Sequence, residues 1–189
     1  MNPEYMVFHS GGMLSGKMIV DEARAGRIEL GPDIDDRFAG PNSYDLRIGN
    51  TYGVYELSEK YGVLDVKKEN KLIMREIDPD EGLDIYPGQL YIVPIMHPVG
   101  SDHYVPLITG RSSMGRLGLS VHQEAGFGDL GFHGIWNLQI SSIIPVTIYP
   151  YMRMAQVYFF TLVGDASKLY NGKYQNSGPG QGSKSYKDF

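Results

Sequence analysis

Prolines and glycines cut this chain into short pieces before an apolar run can grow into a long helix. The 189 residues include 24 glycines and 11 prolines. Two stretches show the pattern best. LDIYPGQLYIVPI (83–95) and PVTIYPYMRMAQVYFFTL (145–162) each run from apolar residues through an aromatic and a proline to a polar turn and a second apolar run. Proline fixes φ and removes a backbone donor, so each proline punctuates a strand rather than continuing it. YDLRIGNTYGVYEL (44–57) alternates apolar and polar residues, as a half-buried strand pair does. With 14 tyrosines added, the composition favours strands. Short strands at this spacing predict a mainly β domain, a sandwich or barrel, and the length suits one core.

Other segments are read more briefly. Ser15 can cap one helix, with Met18, Ile19, Glu22 and Ala23 at helical spacing and Gly26 as a stop. VKKENKLIMRE (66–76) is charged and fits either a short helix or an exposed excursion. The stretch 171–189 has little to bury, which suits a disordered tail. Its lysines, glycines and aromatics equally suit a flexible lid over an anionic ligand.

Seventeen basic and 22 acidic residues give a net charge of −5, which argues against a nucleic-acid partner held by a broad positive surface. A small anionic ligand needs only a local cluster. Cysteine is absent, so thiolate zinc sites and the H-x-E…P-C-x-x-C signature of zinc deaminases are excluded. No apolar run is long enough for a membrane span. The start, MNPEYMVFHS, lacks a secretion pattern, and the expectation is a cytoplasmic protein.

GRSSMGRLG (110–118) holds three glycines, two serines and two arginines, too many glycines for a stable helix and too much polarity for a buried strand. Glycines let backbone N–H groups approach an anion, Ser112 and Ser113 add hydroxyls, and Arg111 and Arg116 add planar cations. A plain surface loop explains the composition equally well. It is not a Walker loop. VHQEAGFGDLGFHGIWNLQIS (121–141) reads as a hairpin-like run punctuated by Gly126, Gly128, Gly131 and Gly134, with Asp129 at its turn. Asp129 either caps that turn or handles a sugar hydroxyl or a water. Phe132 offers a flat face to a sugar, and Trp136 reads as core.

PNSYDLRIG (41–49), GRSSMGRLGL (110–119), HQEAGFGDLGFHG (122–134), RMAQ (153–156) and KYQNSGPGQGS (173–183) together resemble the ordered motifs of the dCTP deaminase/dUTPase superfamily, deaminase-like branch. The resemblance implies a distorted β-barrel or jelly roll of the dUTPase-like β-clip kind. It would span residues 1–170, with the lid at 171–189, as a homotrimer with shared active sites that bind a deoxynucleoside triphosphate and Mg²⁺. By that resemblance Arg111, Ser112 and Ser113 form the phosphate loop, and Gln156 contacts phosphate. Lys173 and Tyr174 close on the triphosphate, and Tyr170 is a further substrate-binding position. His122 and Ala125 belong to the segment whose backbone reads the base. Asp129 contacts the 3′-hydroxyl and orients water, while Phe132 disfavours a ribose. No protein ligand to the metal is implied; Mg²⁺ arrives on the triphosphate. Asp45 matches a first-motif aspartate of structural or water-mediated metal role.

One departure bears on the reaction. Family deaminases carry a glutamate as general base in the strand after the hairpin, with Ser112 and Arg116 matching groups that polarise and position the attack. This chain has Gln139 there. A neutral amide cannot take a proton from water near pH 7. Cleavage of the phosphate anhydride does not need that residue. The first reading is therefore a dUTP hydrolase forming dUMP and pyrophosphate. The second is a dCTP deaminase, with Gln139 a divergent or engineered position; the third is a non-catalytic dNTP-binding regulator. Glu124, where the family often has threonine, reads first as exposed or structural, and otherwise as a substitute carboxylate or a group that excludes one substrate.

Overall fold

The Oγ of Ser15 accepts the N–H of Met18 at 3.2 Å and starts helix α1, Gly16–Arg24, as its sequence predicts. Ile19, Val20 and Ala23 are buried, and Gly26, at φ 76°, turns the chain out of the helix. The structure is a computed structural model and describes residues 11–57, 62–122 and 124–189. The amino-terminal reading of residues 1–10 and the motif position Gln123 lie outside them.

Glu22 is buried on the same helix for a different reason. Arg27 donates to its carboxylate through Nε at 2.5 Å and Nη2 at 2.6 Å, and the Tyr104 hydroxyl donates at 2.8 Å. The guanidinium holds the Glu22 carboxyl below its usual range, and burial pushes the Tyr104 hydroxyl up to about 12. The pair ties the helix to the sheet that follows.

Among the described residues ten strands follow α1: β1 Tyr44–Arg47, β2 Thr51–Tyr55, β3 Leu72–Glu76, β4 Leu83–Ile85, β5 Tyr91–Pro94, β6 Tyr104–Gly110, β7 Leu119–Val121, β8 Asn137–Ser142, β9 Val146–Ile148 and β10 Arg153–Thr161. A short helix, α2 Ser112–Gly115, sits between β6 and β7. The strands form three antiparallel sheets, ordered β1-β10-β6, β3-β2-β5-β8-β7 and β4-β9. The mainly β expectation is met, but among the described residues these sheets do not close into a barrel.

The proline corners explain this topology. The sequence around Pro87-Gly88 was expected to bracket a pair of adjacent strands, as was 44–57. Instead β4 and β5 join different sheets, as do β1 and β2, and β9 and β10 on either side of Pro150. Each corner moves the chain from one sheet to another. The first strands of the two corner stretches, β4 and β9, then pair with each other: Leu83 faces Ile148 and Ile85 faces Val146. The charged stretch 66–76 contains β3, so the helix alternative is wrong there; β3 pairs residue for residue with β2. Similarly, 112–115 forms one helical turn despite Gly115 and the glycines that flank it, because Arg111 O accepts both the Met114 N–H and the Gly115 N–H.

β10 runs through the middle of the core. Ala155, Val157 and Phe159 have no exposed surface, while Gln156 and Tyr158 alternate to the other face; Met154, also without exposed surface, sits where the pairing with β1 slips by one residue. In β8 the same period buries Leu138 and Ile140 and turns Asn137 and Gln139 outward. Burying each such large side chain contributes about 1.5–3 kcal/mol.

Gly16 opens α1 against backbone. A Cβ there would lie 1.8 Å from Gly40 O. Alanine in a helix is ordinarily better than glycine by about 1 kcal/mol. Here Gly16→Ala is expected to cost about 1–3 kcal/mol through overpacking, read as a lower urea midpoint. A rise in the midpoint would show that the Gly40 carbonyl yields freely.

Candidate active site

Outward-facing residues of β8, the loop from 122 to 136 and the carboxy-terminal tail enclose a cleft of about 550 Å³. Of the residues singled out in the sequence, the cleft gathers His122, Ala125, Asp129, Phe132, Gln139, Tyr170 and Tyr174. The loop owes its shape to glycines: a Cβ at Gly128 would meet the Trp136 ring at 2.8 Å, and Gly131 sits at φ 88°.

Gln139 lies on the cleft wall. Its Nε2 donates to Asn137 O at 3.4 Å, and its Oε1 is buried without a hydrogen-bond partner among the described residues. His122 stands beside it, only 4% exposed, with φ 53° and its ring edge-on to Trp136 at 5.5 Å. Its Nδ1 accepts the Gln139 N–H at 3.4 Å, and its Nε2 also lacks a partner among the described residues. Burial pushes the His122 imidazole down to about 4. At neutral pH, then, an uncharged imidazole and an uncharged amide share this end of the cleft. Such a pair can donate and accept hydrogen bonds but carries no charge at that pH.

Phe132 packs edge-on between Trp136 (5.3 Å) and Tyr170 (5.9 Å). Trp136 is buried and donates to Val99 O at 3.2 Å, as a core residue should. Asp129 is exposed at the lip, and its backbone oxygen accepts the Phe132 N–H at 3.1 Å. Glu124 is exposed and outside the cleft lining, which matches the first of its readings.

The tail crosses the open side. Ser177 O accepts the Ile135 N–H at 2.8 Å and Ser177 Oγ donates to Ile135 O at 2.8 Å. Further along, Tyr55 Oη accepts the Ser183 N–H at 2.8 Å and Tyr174 Oη accepts the Lys184 N–H at 2.8 Å. The Lys173 ammonium pairs with Asp188, which raises its pKa, and lies 5.7 Å from the Tyr174 ring centre. It does not line the cleft.

The phosphate-loop residues lie elsewhere. Arg111 caps α2, and Ser112, Ser113 and Arg116 are exposed on or just after it. The half-buried Asp45 receives two guanidiniums, Arg111 Nε at 3.1 Å and Arg153 Nη1 at 3.2 Å. Gln156 faces Asp45 across the β1–β10 register and donates to Tyr158 Oη at 2.7 Å. None of Arg111, Ser112, Ser113, Arg116 and Gln156 lines the cleft. The grouping of Ser112 and Arg116 with Gln139 is therefore not formed within one chain. Sequence reasoning missed Arg153, although it heads RMAQ, and Asn137 and Tyr55, which hold the tail; no spacing signal marks those two.

These features define a mainly β chain whose nucleotide-sized cleft has an uncharged polar end, an aromatic wall and a tail across its mouth. A model of the dCTP deaminase-like family matches residues 13–162. A protein of Hathewaya histolytica named dCTP deaminase, dUMP-forming, is 43% identical over 177 residues, covering 94% of this chain and 99% of that one. A protein of the same name from Clostridium acetobutylicum is 41% identical over 182 residues, covering 94% and 98%. Among solved structures, the 2′-deoxycytidine 5′-triphosphate deaminase of Agrobacterium tumefaciens superposes with a TM-score of 0.62 at 22% identity, a likeness of fold. It covers 80% of this chain and 48% of that longer one, so the chain spans about half its length. The chain belongs to the dCTP deaminase-like family.

The buried His122 has a consequence for stability. Its ordinary pKa is 6.5 and its folded value about 4. Below pH 6.5 the unfolded chain takes up a proton that the folded chain refuses until about pH 4. Stability is therefore lost as pH falls through that window, by about 3 kcal/mol in full. Urea titrations at several pH values from 7 to 4, compared with His122→Gln, should show a steeper acid loss in the parent chain. Parallel profiles would contradict a neutral His122.

Proposed function

We propose that this chain converts a deoxypyrimidine nucleoside triphosphate to dUMP, releasing pyrophosphate. The observation that carries this reading is the cleft itself, where Asp129, Phe132, Tyr170, Tyr174 and Gln139 meet under the tail. The base would rest at the uncharged Gln139–His122 end. The sugar would lie against Phe132, with Asp129 near its hydroxyl and orienting a water toward the phosphates. Arg111, Ser112, Ser113, Gln156 and Lys173 would bind the phosphate chain.

Two net reactions are at issue. Deamination turns dCTP and water into dUTP and ammonia; hydrolysis turns dUTP and water into dUMP and pyrophosphate. The names of the relatives stand nearer to the dCTP starting point than to dUTP alone, and support the sequence's second reading over its first. Gln139 favours the dUTP reading, because an amide cannot accept the proton of the water that adds to the cytosine ring. Both hold together if hydrolysis runs at full rate and deamination runs slowly.

Mg²⁺ fits as an ion delivered with the triphosphate. Among the described residues no group of three His, Cys, Asp or Glu side chains is placed to hold a metal, and Asp45 is engaged by two arginines. Bound in that way, it would offset charge on the phosphate oxygens.

Following dCTP, dUTP and dTTP with Mg²⁺ for ammonia and for pyrophosphate tests the reading. Pyrophosphate from dUTP is expected, with slower ammonia release from dCTP that Gln139→Glu accelerates by about 10²–10⁴-fold. Pyrophosphate without any ammonia would leave the dUTP reading alone. Tight dNTP binding with no product would favour the regulator reading.

The separation of α2 from the cleft supports a homotrimer in which a neighbouring copy supplies the phosphate loop, as does the exposure of Phe127, Ile143 and Val163. Mixing inactive Asp129→Asn and Arg111→Ala chains, unfolded and refolded together, should then restore activity. Persistent inactivity of the mixture would place both groups in one chain's site.

A further inference from the structure

Asn137 stands on β8 two residues before Gln139, facing the same way. Its side-chain amide is spent almost wholly on the tail. Oδ1 accepts the N–H groups of Gly180 at 2.8 Å and Gln181 at 3.1 Å, while Nδ2 donates to Gly178 O at 3.1 Å and to Ile135 O at 3.2 Å. A side chain of this size makes at most two donations and two acceptances, so the amide is saturated. The turn it grips is shaped to fit. Gly180 takes φ 73°, and a Cβ there would meet the Met74 sulfur at 2.8 Å. Next along the tail come Gln181, Gly182, Ser183 and Ser185, all of which line the cleft.

The same residue touches the other side of the site. Its backbone oxygen accepts the Gln139 Nε2–H, so the amide facing the cleft is oriented by the residue that grips the tail. Beyond the grip, Ser183 and Lys184 are held by other partners, the hydroxyls of Tyr55 and Tyr174.

We infer that Asn137 is a positioning residue, the latch through which the tail over residues 178–185 docks as one unit against the strand that carries Gln139. The tail closes because a single amide satisfies three of its backbone groups at once, and opening it exposes all of them together. The turnover arm of the test rests on the function proposed above; the exchange arm does not.

Amide hydrogen exchange on the free protein, residue by residue, tests the latch without any nucleotide. In Asn137→Ala the amides of Gly180, Gln181, Ser183 and Lys184 should all exchange at least about tenfold faster, since three hydrogen bonds to one unit are lost. Asn137→Asp keeps the acceptor for Gly180 and Gln181 and should retain most of the protection. It guards against an alanine variant that fails to fold. With nucleotide, Asn137→Ala should raise KM more than it lowers kcat, because binding across the closed tail is what weakens. Faster exchange confined to Gly180 and Gln181, with Ser183 and Lys184 unchanged, would overturn the latch. So would equal exchange in the alanine and aspartate variants. A protein that turns over no nucleotide, yet opens its tail as described, would refute the function and leave the latch standing.

Discussion

A strand that leaves its neighbour at a proline corner must find new partners for its backbone, and in this fold each such departure is answered elsewhere. Pro87 and Pro150 send β4 and β9 out of the sheets that their following strands join, and those two then satisfy each other. Unpaired N–H and C=O groups at these corners would cost far more than the turns themselves. The pairing also fixes where β5 and β10 begin. β5 lies beside β8, with Ile92 opposite Gln139, so the placement of the cleft wall follows from how the corners are resolved.

Local signals carried much of this. The cap at Ser15, the stop near Gly26, the alternation along 44–57 and the apolar runs on either side of Pro150 are short-range effects, and the elements form there. What the sequence did not disclose is partnership. Alternation says that Tyr44–Arg47 and Thr51–Tyr55 are half-buried strands, but nothing in fourteen residues says that one pairs with β10 and the other with β3 and β5. Partnership is a long-range choice, decided by which apolar faces meet in the core. The stretch at 66–76 was less legible for a related reason: β3 is an outer strand, half-buried at Leu72 and Ile73 and exposed from Met74 to Glu76, so burial does not alternate along it.

Legibility of the site divides in the same way. Motif resemblance named Asp129, Phe132, Gln139, Tyr170 and Tyr174, and the fold gathers them. It could not show that Lys173 faces Asp188 or that α2 stands apart. Nor could it mark Asn137, whose role depends on a turn some forty residues away in the chain. The neutrality of His122 is likewise a product of packing against Trp136, invisible until the ring is seen to be enclosed.

The carboxylate of Asp45 is a charge already in place. It orders Arg111 and Arg153 before any anion approaches, so the conformational freedom of two long cationic side chains is surrendered during folding rather than on binding. It also cancels one of their two charges. In a chain of net charge −5 the residual field around this point is small beyond a Debye length. An anion reaching it would be held by contact with two guanidiniums already set in place.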